Sequence, residues 1–252
     1  MVALDSGLAE THQVLGLIRF WEWKWPEAEA EYREALRLNP DCVPAWICFG
    51  FHLSHVGRPE EALQVLDRGL QVDPSAANLV KMKGHAYFVR RQFQQALDLY
   101  LESTRREPLF PEARRWTARA YFAMTNYPAA IDEMEQREVL RSDRPPDEAK
   151  QEYAALRHAF KEGGARGFWL KQLAVNQAHW KPDEYPYTFA QIYAWLGDKE
   201  QALTFLEKAF ERHDELVYLI FDECWDPWRD EPRFEAIRKK VGMLRHPNFP
   251  VK

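Results

Sequence analysis

Cys48, His52 and His55 stand at i, i+4 and i+7, which is one face of one helix. A thiolate and two imidazoles suit zinc if a fourth ligand comes from elsewhere. The plainer reading is a packed cysteine with two surface or groove histidines, and it is the one adopted, because neither CxxC nor HExxH accompanies them. Asp222, Glu223, Asp226, Asp230 and Glu231 gather near Trp225 and Trp228. Paired carboxylates serve acid-base chemistry. Asp226-Pro227 and Asp230-Glu231-Pro232 have the character of helix starts, however, so capping is preferred here. Gly163-Gly164-Ala165-Arg166-Gly167 opens a helix whose N–H groups could hold an anion; the alternative, again preferred, is a tight helix-to-helix turn with glycine at positive φ. No GxSxG, Walker loop or catalytic Cys/His signature occurs. The expectation is a protein that is not an enzyme, with no cofactor and no resident metal.

The chain of 252 residues is 46% apolar and carries a net charge of −5. That apolar share excludes wholesale disorder. The acidic balance argues against direct nucleic-acid contact, where excess Lys and Arg must neutralise phosphate. No apolar run reaches the ~18 residues that span a bilayer, and the start has no basic segment of a secretory signal, so no membrane insertion is expected. Three cysteines are too few for a disulfide framework and fit a reducing, cytoplasmic setting.

The elements that would position these groups announce themselves through proline. Asn39-Pro40, Asp73-Pro74 and Glu107-Pro108 recur every 34 residues, each after a helix-period stretch. Counting back 24 residues from each proline finds Gly16, Gly50 and Gly84; 12 finds Ala28, Ala62 and Ala96; 8 finds Tyr32, Leu66 and Tyr100; 5 finds Ala35, Gly69 and Ser103. Small residues let two helices of a hairpin approach, large ones fill the notch between them, and proline sits where the second helix must stop. A fourth unit keeps Tyr121 and Ala130, with Ala118 for the glycine and Ser142 for the proline. A last unit has Ala190, Tyr193, Gly197, Ala202, Leu206 and Ala209. Between them Asp143-Arg144-Pro145-Pro146 breaks the pattern, and helices over Asp147–Glu162 and Ala165–His179 form an atypical hairpin. The run Glu215–Phe221 is strand-like but lacks a partner strand and is taken as helical. Asp230–Val241 is a capping helix.

On these residues the chain resembles a tetratricopeptide repeat protein. The resemblance implies an all-α fold, a right-handed α-α superhelix of helical hairpins with a C-terminal capping helix: four repeats over residues 1–142, the atypical hairpin over 143–182, and the final repeat with its cap over 183–252. Several further segments are similar to one bacterial subset. These are Phe20-Trp21-Glu22-Trp23-Lys24-Trp25, Glu162-Gly163-Gly164 with Arg166-Gly167-Phe168, Tyr187 to Ala202, and Asp226-Pro227-Trp228 to Phe234. In that subset the repeats form the C-terminal region of regulators with a CadC-type winged helix, or of serine/threonine kinases. Neither partner domain's signature occurs in this chain, which is therefore expected to be a fragment or a stand-alone relative. As the tail of a membrane-anchored regulator it would lie outside the cytoplasm.

The resemblance further implies that the first helix of each pair lines a concave groove. The groove positions fall on Gln13, Ile47, Lys81 and Arg115; on Leu17, Phe51, His85 and Arg119; and on Phe20, Ser54, Phe88 and Phe122. One end is apolar and aromatic and the other basic, which suits a protein or peptide partner with an apolar and an acidic part. Core packing of the phenylalanines is the competing reading. The family's clamp for chaperone tails needs Lys and Asn donors where this chain has Gln13, Leu17, Cys48, Asn78 and Met82, so that mode is not expected. The cluster Phe20, Trp21, Trp23 and Trp25 is read as the bend of the first hairpin, with a partner patch as alternative. The leading function is an interaction scaffold, the sensor or partner-binding part of a bacterial signalling or transcription regulator. Self-association as a homodimer is the second, and the metal site at Cys48, His52 and His55 the third.

Overall fold

Proline's fixed φ suits the first turn of a helix and ends the helix before it, and the chain uses both effects with a constant ruler. In the computed structural model, which describes residues 6–141, 145–214 and 216–243, the helices are α1 (Ser6–Trp21), α2 (Trp25–Leu38), α3 (Val43–His55), α4 (Pro59–Val72), α5 (Ala77–Val89), α6 (Phe93–Arg106), α7 (Pro111–Ala123), α8 (Tyr127–Leu140), α9 (Pro146–His179), α10 (Pro186–Leu196), α11 (Lys199–Glu211) and α12 (Pro232–Val241). Helices α2, α4, α6 and α8 start 34 residues apart, as do α3, α5 and α7. Among the described residues all regular structure is helical. The fold is the expected all-α arrangement of antiparallel hairpins, α1 with α2, α3 with α4, α5 with α6, α7 with α8, and α10 with α11.

The helices form two compact units. Unit 1 comprises residues 1–108 with 241–252, and unit 2 residues 109–240. Unit 1 holds three hairpins. Unit 2 holds α7 and α8, the atypical α9, the last hairpin and most of α12.

Each hairpin of unit 1 closes on one pair of residues. A Cβ on Gly16 would lie 2.5 Å from Tyr32 Cε1, one on Gly50 2.4 Å from Leu66 Cγ and Cδ2, and one on Gly84 2.4 Å from Tyr100 Cε1. Tyr32, Leu66 and Tyr100 have no exposed surface. The fourth hairpin has Ala118 for the glycine and Met134 for the large residue, an unbranched side chain that can give way to a methyl group. After the second helix, Asn39 Oδ1 accepts from Asp41 N at 3.0 Å and Asp73 Oδ1 from Ser75 N at 2.9 Å. A short side chain thus closes the turn around the proline.

The turn inside each hairpin carries a second periodic feature. Residues 23, 57, 91 and 125 all have positive φ: Trp23 59°, Gly57 86°, Arg91 58° and Thr125 60°. A sharp reversal between the two helices imposes the left-handed conformation, whichever residue falls there. Only Gly57 meets it without a Cβ; each of the others accepts a cost on the order of 1 kcal/mol.

One expectation changes. Ser142, Asp143 and Arg144 at the break, and Glu215, lie outside the described residues. The rest of the 215–221 run is neither strand nor α-helix: Leu216–Tyr218 is a single 3-10 turn, followed by turns and a second 3-10 turn over Glu223–Trp228. A buried guanidinium explains this. Arg229, 5% exposed, donates to the carbonyls of Ile220 at 3.2 Å and Asp222 at 3.0 Å, so those carbonyls are satisfied without a continuous helix.

If the notch holds each hairpin together, Gly84→Ala costs about 1 to 3 kcal/mol, although alanine is the better helix former. Tyr100→Met, the pairing the fourth hairpin uses opposite Ala118, recovers part of the loss in the same chain, an inversion of sign readable as non-additive urea midpoints in a double-mutant cycle.

Candidate functional site

Sequence-expected groove residues in unit 1 are mostly interior. Phe20 and Phe88 have no exposed surface, His85 is 1% exposed and Lys81 6%. Gln13, Leu17, Ile47 and Phe51 are half-buried. Phe20 meets Trp25 edge-on at 5.3 Å and Phe51 at 5.1 Å, and His85 Nδ1 is 2.9 Å from the Tyr100 hydroxyl. Phe20 and Phe88 thus pack between helices, as the competing reading had it. The bend cluster divides: Trp25 is buried and donates to the Val241 carbonyl at 2.7 Å, whereas Trp21 stays 41% exposed.

Cys48, His52 and His55 share the buried side of α3, but each is engaged in its own way. Cys48 Sγ accepts from Gln13 Nε2 at 3.1 Å, and burial pushes its pKa up to about 11. His55 Nδ1 lies 2.7 Å from the Phe51 carbonyl of its own helix. Among the described residues no three His, Cys, Asp or Glu side chains converge as a metal site would require. His52 is 1% exposed, and burial pushes its pKa down to about 4, against the opposing pull of the Glu29 carboxylate 3.9 Å away.

Unit 2 contains a concave site, a cavity of about 550 Å³. Helix α7 brings Arg115, Arg119 and Phe122, three of the expected groove residues. Helix α8 adds Met134 and Arg137, the two arms of α9 add Tyr153, Trp169, Gln172, Asn176 and His179, α10 adds Gln191, Ile192 and Trp195, and residues 222–224 close one side. The α9 arms reach the cavity because Gly164 breaks the helix at φ 59°, ψ −151°, a conformation open essentially to glycine. Gly167 lets the second arm pass close: a Cβ there would sit 2.3 Å from the Ala159 carbonyl oxygen. This glycine segment is thus the helix-to-helix turn that was preferred over an anion loop.

The apolar wall is aromatic. Trp169 and Trp195 stack at 5.3 Å with an interplanar angle of 4°, Phe122 lies 5.4 Å from Trp169, and Trp169 Nε1 donates to the Tyr127 hydroxyl at 2.9 Å. The polar wall is charged. Arg119 donates to Asp222, which is 1% exposed and also accepts from the Tyr187 hydroxyl and from Gln191 Nε2, the latter at 2.6 Å. Asp222 stands at the N-cap of the 3-10 turn Glu223–Trp228 without a capping hydrogen bond from its side chain; its carboxylate is buried with three donors, and Arg119 is committed to it. Arg115 and Arg137 both approach the Glu112 carboxylate, at 3.7 and 3.5 Å. Among the buried polar atoms at the cavity, Arg137 Nε and Gln172 Oε1 have no hydrogen-bond partner among the described residues. Asn176, 4% exposed, accepts from Gln172 Nε2 at 2.8 Å, which orients both amides.

Known proteins share this architecture. Residues 81–149 match one tetratricopeptide repeat model and residues 187–212 another. The segments are tetratricopeptide repeats, units that mediate protein–protein interactions and are generally non-catalytic. Hsp70-Hsp90 organizing protein 3 of Arabidopsis thaliana is 29% identical over 104 residues, covering 41% of this chain and 19% of that protein. Anaphase-promoting complex subunit 3 of Schizosaccharomyces pombe is 23% identical over 152 residues, 60% of this chain and 22% of that protein. The chain thus spans about a fifth of the length of these curated relatives. Among solved structures, pilF of Pseudomonas aeruginosa superposes with a TM-score of 0.55 at 14% identity, covering 93% of this chain and 98% of that one. The anaphase-promoting complex assembly Cut9–Hcn1 gives 0.56 at 15% identity, covering 86% and 42%. These likenesses show the fold. Among the described residues no helix is long and apolar enough to cross a membrane.

Of the groove positions the resemblance implied, Arg115, Arg119 and Phe122 line this cavity. Sequence reasoning missed Trp169, Asn176 and Trp195, which no repeat position marks, and Asp222, which lies 103 residues from the arginine it binds.

Two outcomes follow. Because His52 has a lower pKa folded than the 6.5 of a free histidine, the unfolded chain takes up the proton first. Its contribution is intact above pH 6.5 and is lost as pH falls from there toward 4. Unit 1 should lose on the order of 2 kcal/mol between pH 7 and 5 in urea titrations, a slope His52→Leu flattens. Asp222→Ala, which leaves the Arg119 charge without its buried partner, should cost unit 2 about 3 kcal/mol in the same assay.

Proposed function

We propose that this chain is a non-catalytic scaffold whose unit 2 cavity binds an extended segment of a partner protein. The observation that carries the reading is the placing of the stacked Trp169–Trp195 wall in one cavity with the Arg115 and Arg137 guanidiniums. An aromatic or aliphatic side chain of the partner lies against the indoles, a carboxylate turns to the two guanidiniums, and the Gln172 and Asn176 amides meet its backbone. The basic end foreseen on α7 thus comes with its own apolar wall, in place of an apolar end supplied by the first hairpin. The buried acid at Asp222 is neutralised by Arg119, which suits a structural rather than a proton-transferring role.

On the resemblance to the repeat regions of CadC-type regulators and kinases, we place this binding in bacterial signalling or transcription control, as the partner-sensing part of a regulator. A reducing, cytoplasmic setting agrees with the free cysteines Cys42, Cys48 and Cys224. Chaperone-tail capture is not proposed: Gln13, Leu17, Cys48, Asn78 and Met82 stand where that mode needs its donors.

Selection from a displayed peptide library against the full chain, followed by calorimetry, tests this reading. Recovered peptides should pair an acidic residue with an aromatic or aliphatic one and quench the Trp169–Trp195 fluorescence. Arg137→Gln should weaken them about tenfold and reduce the salt dependence of binding, with helicity unchanged. Failure to select any such peptide, or binding indifferent to Arg137→Gln, overturns it.

A further inference from the structure

Neighbouring hairpins of unit 1 enclose a cleft between their second helices, floored by the first helix of the later hairpin. In the cleft of α4 and α6 over α5, Lys83 of the floor reaches Asp67 of the rim at 2.6 Å, and Arg106 reaches from α6 to the Pro74 carbonyl at 2.7 Å. Thirty-four residues earlier, in the cleft of α2 and α4 over α3, neither contact can form. Phe49 stands in place of Lys83 and Arg33 in place of Asp67, and the guanidinium lies over the ring at 5.0 Å. Val72 stands in place of Arg106, and the Pro40 carbonyl, the equivalent of that of Pro74, accepts from Trp46 Nε1 at 2.8 Å. A cavity of about 440 Å³ remains. Its base is apolar, with Phe49 and Leu53 buried and Trp46 and Val65 half-buried. Its rim is basic, with Arg33, Arg37 and Arg68 where the next cleft has Asp67, Gln71 and Glu102.

We infer that the α2–α4 cleft is a second partner surface, independent of the unit 2 cavity, and that it takes an acidic amphipathic segment of a partner protein. A leucine or aromatic side chain of the segment enters over Trp46 and Val65, and carboxylates on either side of it meet the rim arginines. The charges of the rim favour an anion. Arg68 makes no ion pair among the described residues. Arg37 is held by Glu34 of its own helix at 2.6 Å with its side chain 66% exposed, and so exposed a pair is weak and yields to a second carboxylate. The rim acid Glu61 does not oppose this, because Arg58 engages both its oxygens at 2.6 Å. The apolar base asks for an aliphatic or aromatic side chain between the charges, and a chain of net charge −5 disfavours a polyphosphate. The occupant is therefore protein.

Selection of a displayed peptide library against the full chain carrying Arg137→Gln, which weakens the unit 2 cavity for acidic peptides, tests it. Recovered peptides should place Leu, Phe or Trp between Asp or Glu residues and bind more weakly as salt rises. Arg37→Glu with Arg68→Glu should weaken them about tenfold or more, with circular dichroism unchanged because both side chains are exposed. Phe49→Lys with Arg33→Asp, which copies the Lys83–Asp67 contact of the next cleft, should abolish binding with helicity retained. Failure to recover such peptides, or binding indifferent to the two arginine reversals, overturns the inference. So does a single-stranded oligothymidylate probe that binds this cleft more tightly than the peptides. The unit 2 reading stands or falls separately, on peptides selected with Arg137 intact and Arg37→Glu and Arg68→Glu in place.

Discussion

The structure depends on a shape match repeated along the chain: a position without a side chain on the first helix of a hairpin, and a large buried one on the second. Gly16 against Tyr32, Gly50 against Leu66 and Gly84 against Tyr100 leave no room for even a methyl group. That closeness sets the separation of the paired helices, and the separation sets which other residues become interior. It is a steric constraint more than an attractive one. Dispersion and apolar burial supply the stabilisation only once the backbones are near enough for the large side chain to fill its notch.

Closing the hairpin has a backbone consequence. Two antiparallel helices this near need a sharp reversal, and the chain makes it with one left-handed residue at 23, 57, 91 and 125. The identity of that residue is almost free, since Trp, Gly, Arg and Thr all occur there. The cost of a left-handed non-glycine residue is small beside what the notch and its surrounding core contribute. Polar groups are drawn inside for the same reason: His52 lies in unit 1 because its register position is interior, and it stays neutral because burial disfavours its charged form.

Unit 2 shows how a repeat scaffold acquires a site. The regular α7–α8 hairpin supplies a basic face. The departures from regularity supply the rest: the Gly164 break folds α9 back so that Trp169 and Asn176 face the cavity, and Arg229 holds residues 219–222 in turns that carry Asp222 to Arg119. The charge distribution follows. One arginine is consumed in building the wall, and two others bring guanidiniums to the same cavity.

The sequence by itself determined the helices, their pairing and the 34-residue register, because prolines, small residues and notch-filling residues act between positions at most a few turns apart, and such local contacts leave a periodic trace. It also placed Arg115, Arg119 and Phe122 on one face of α7. Only the tertiary structure decided that Phe20 and Phe88 are core, that Asp222 is a buried hub, and that Arg119 is spent on it. Whether a side chain at a given register is exposed depends on whether another hairpin lies over it. Whether a charge is available depends on a partner that can be 103 residues away. Neither condition imposes a spacing on the chain, so neither is written in its periodicity.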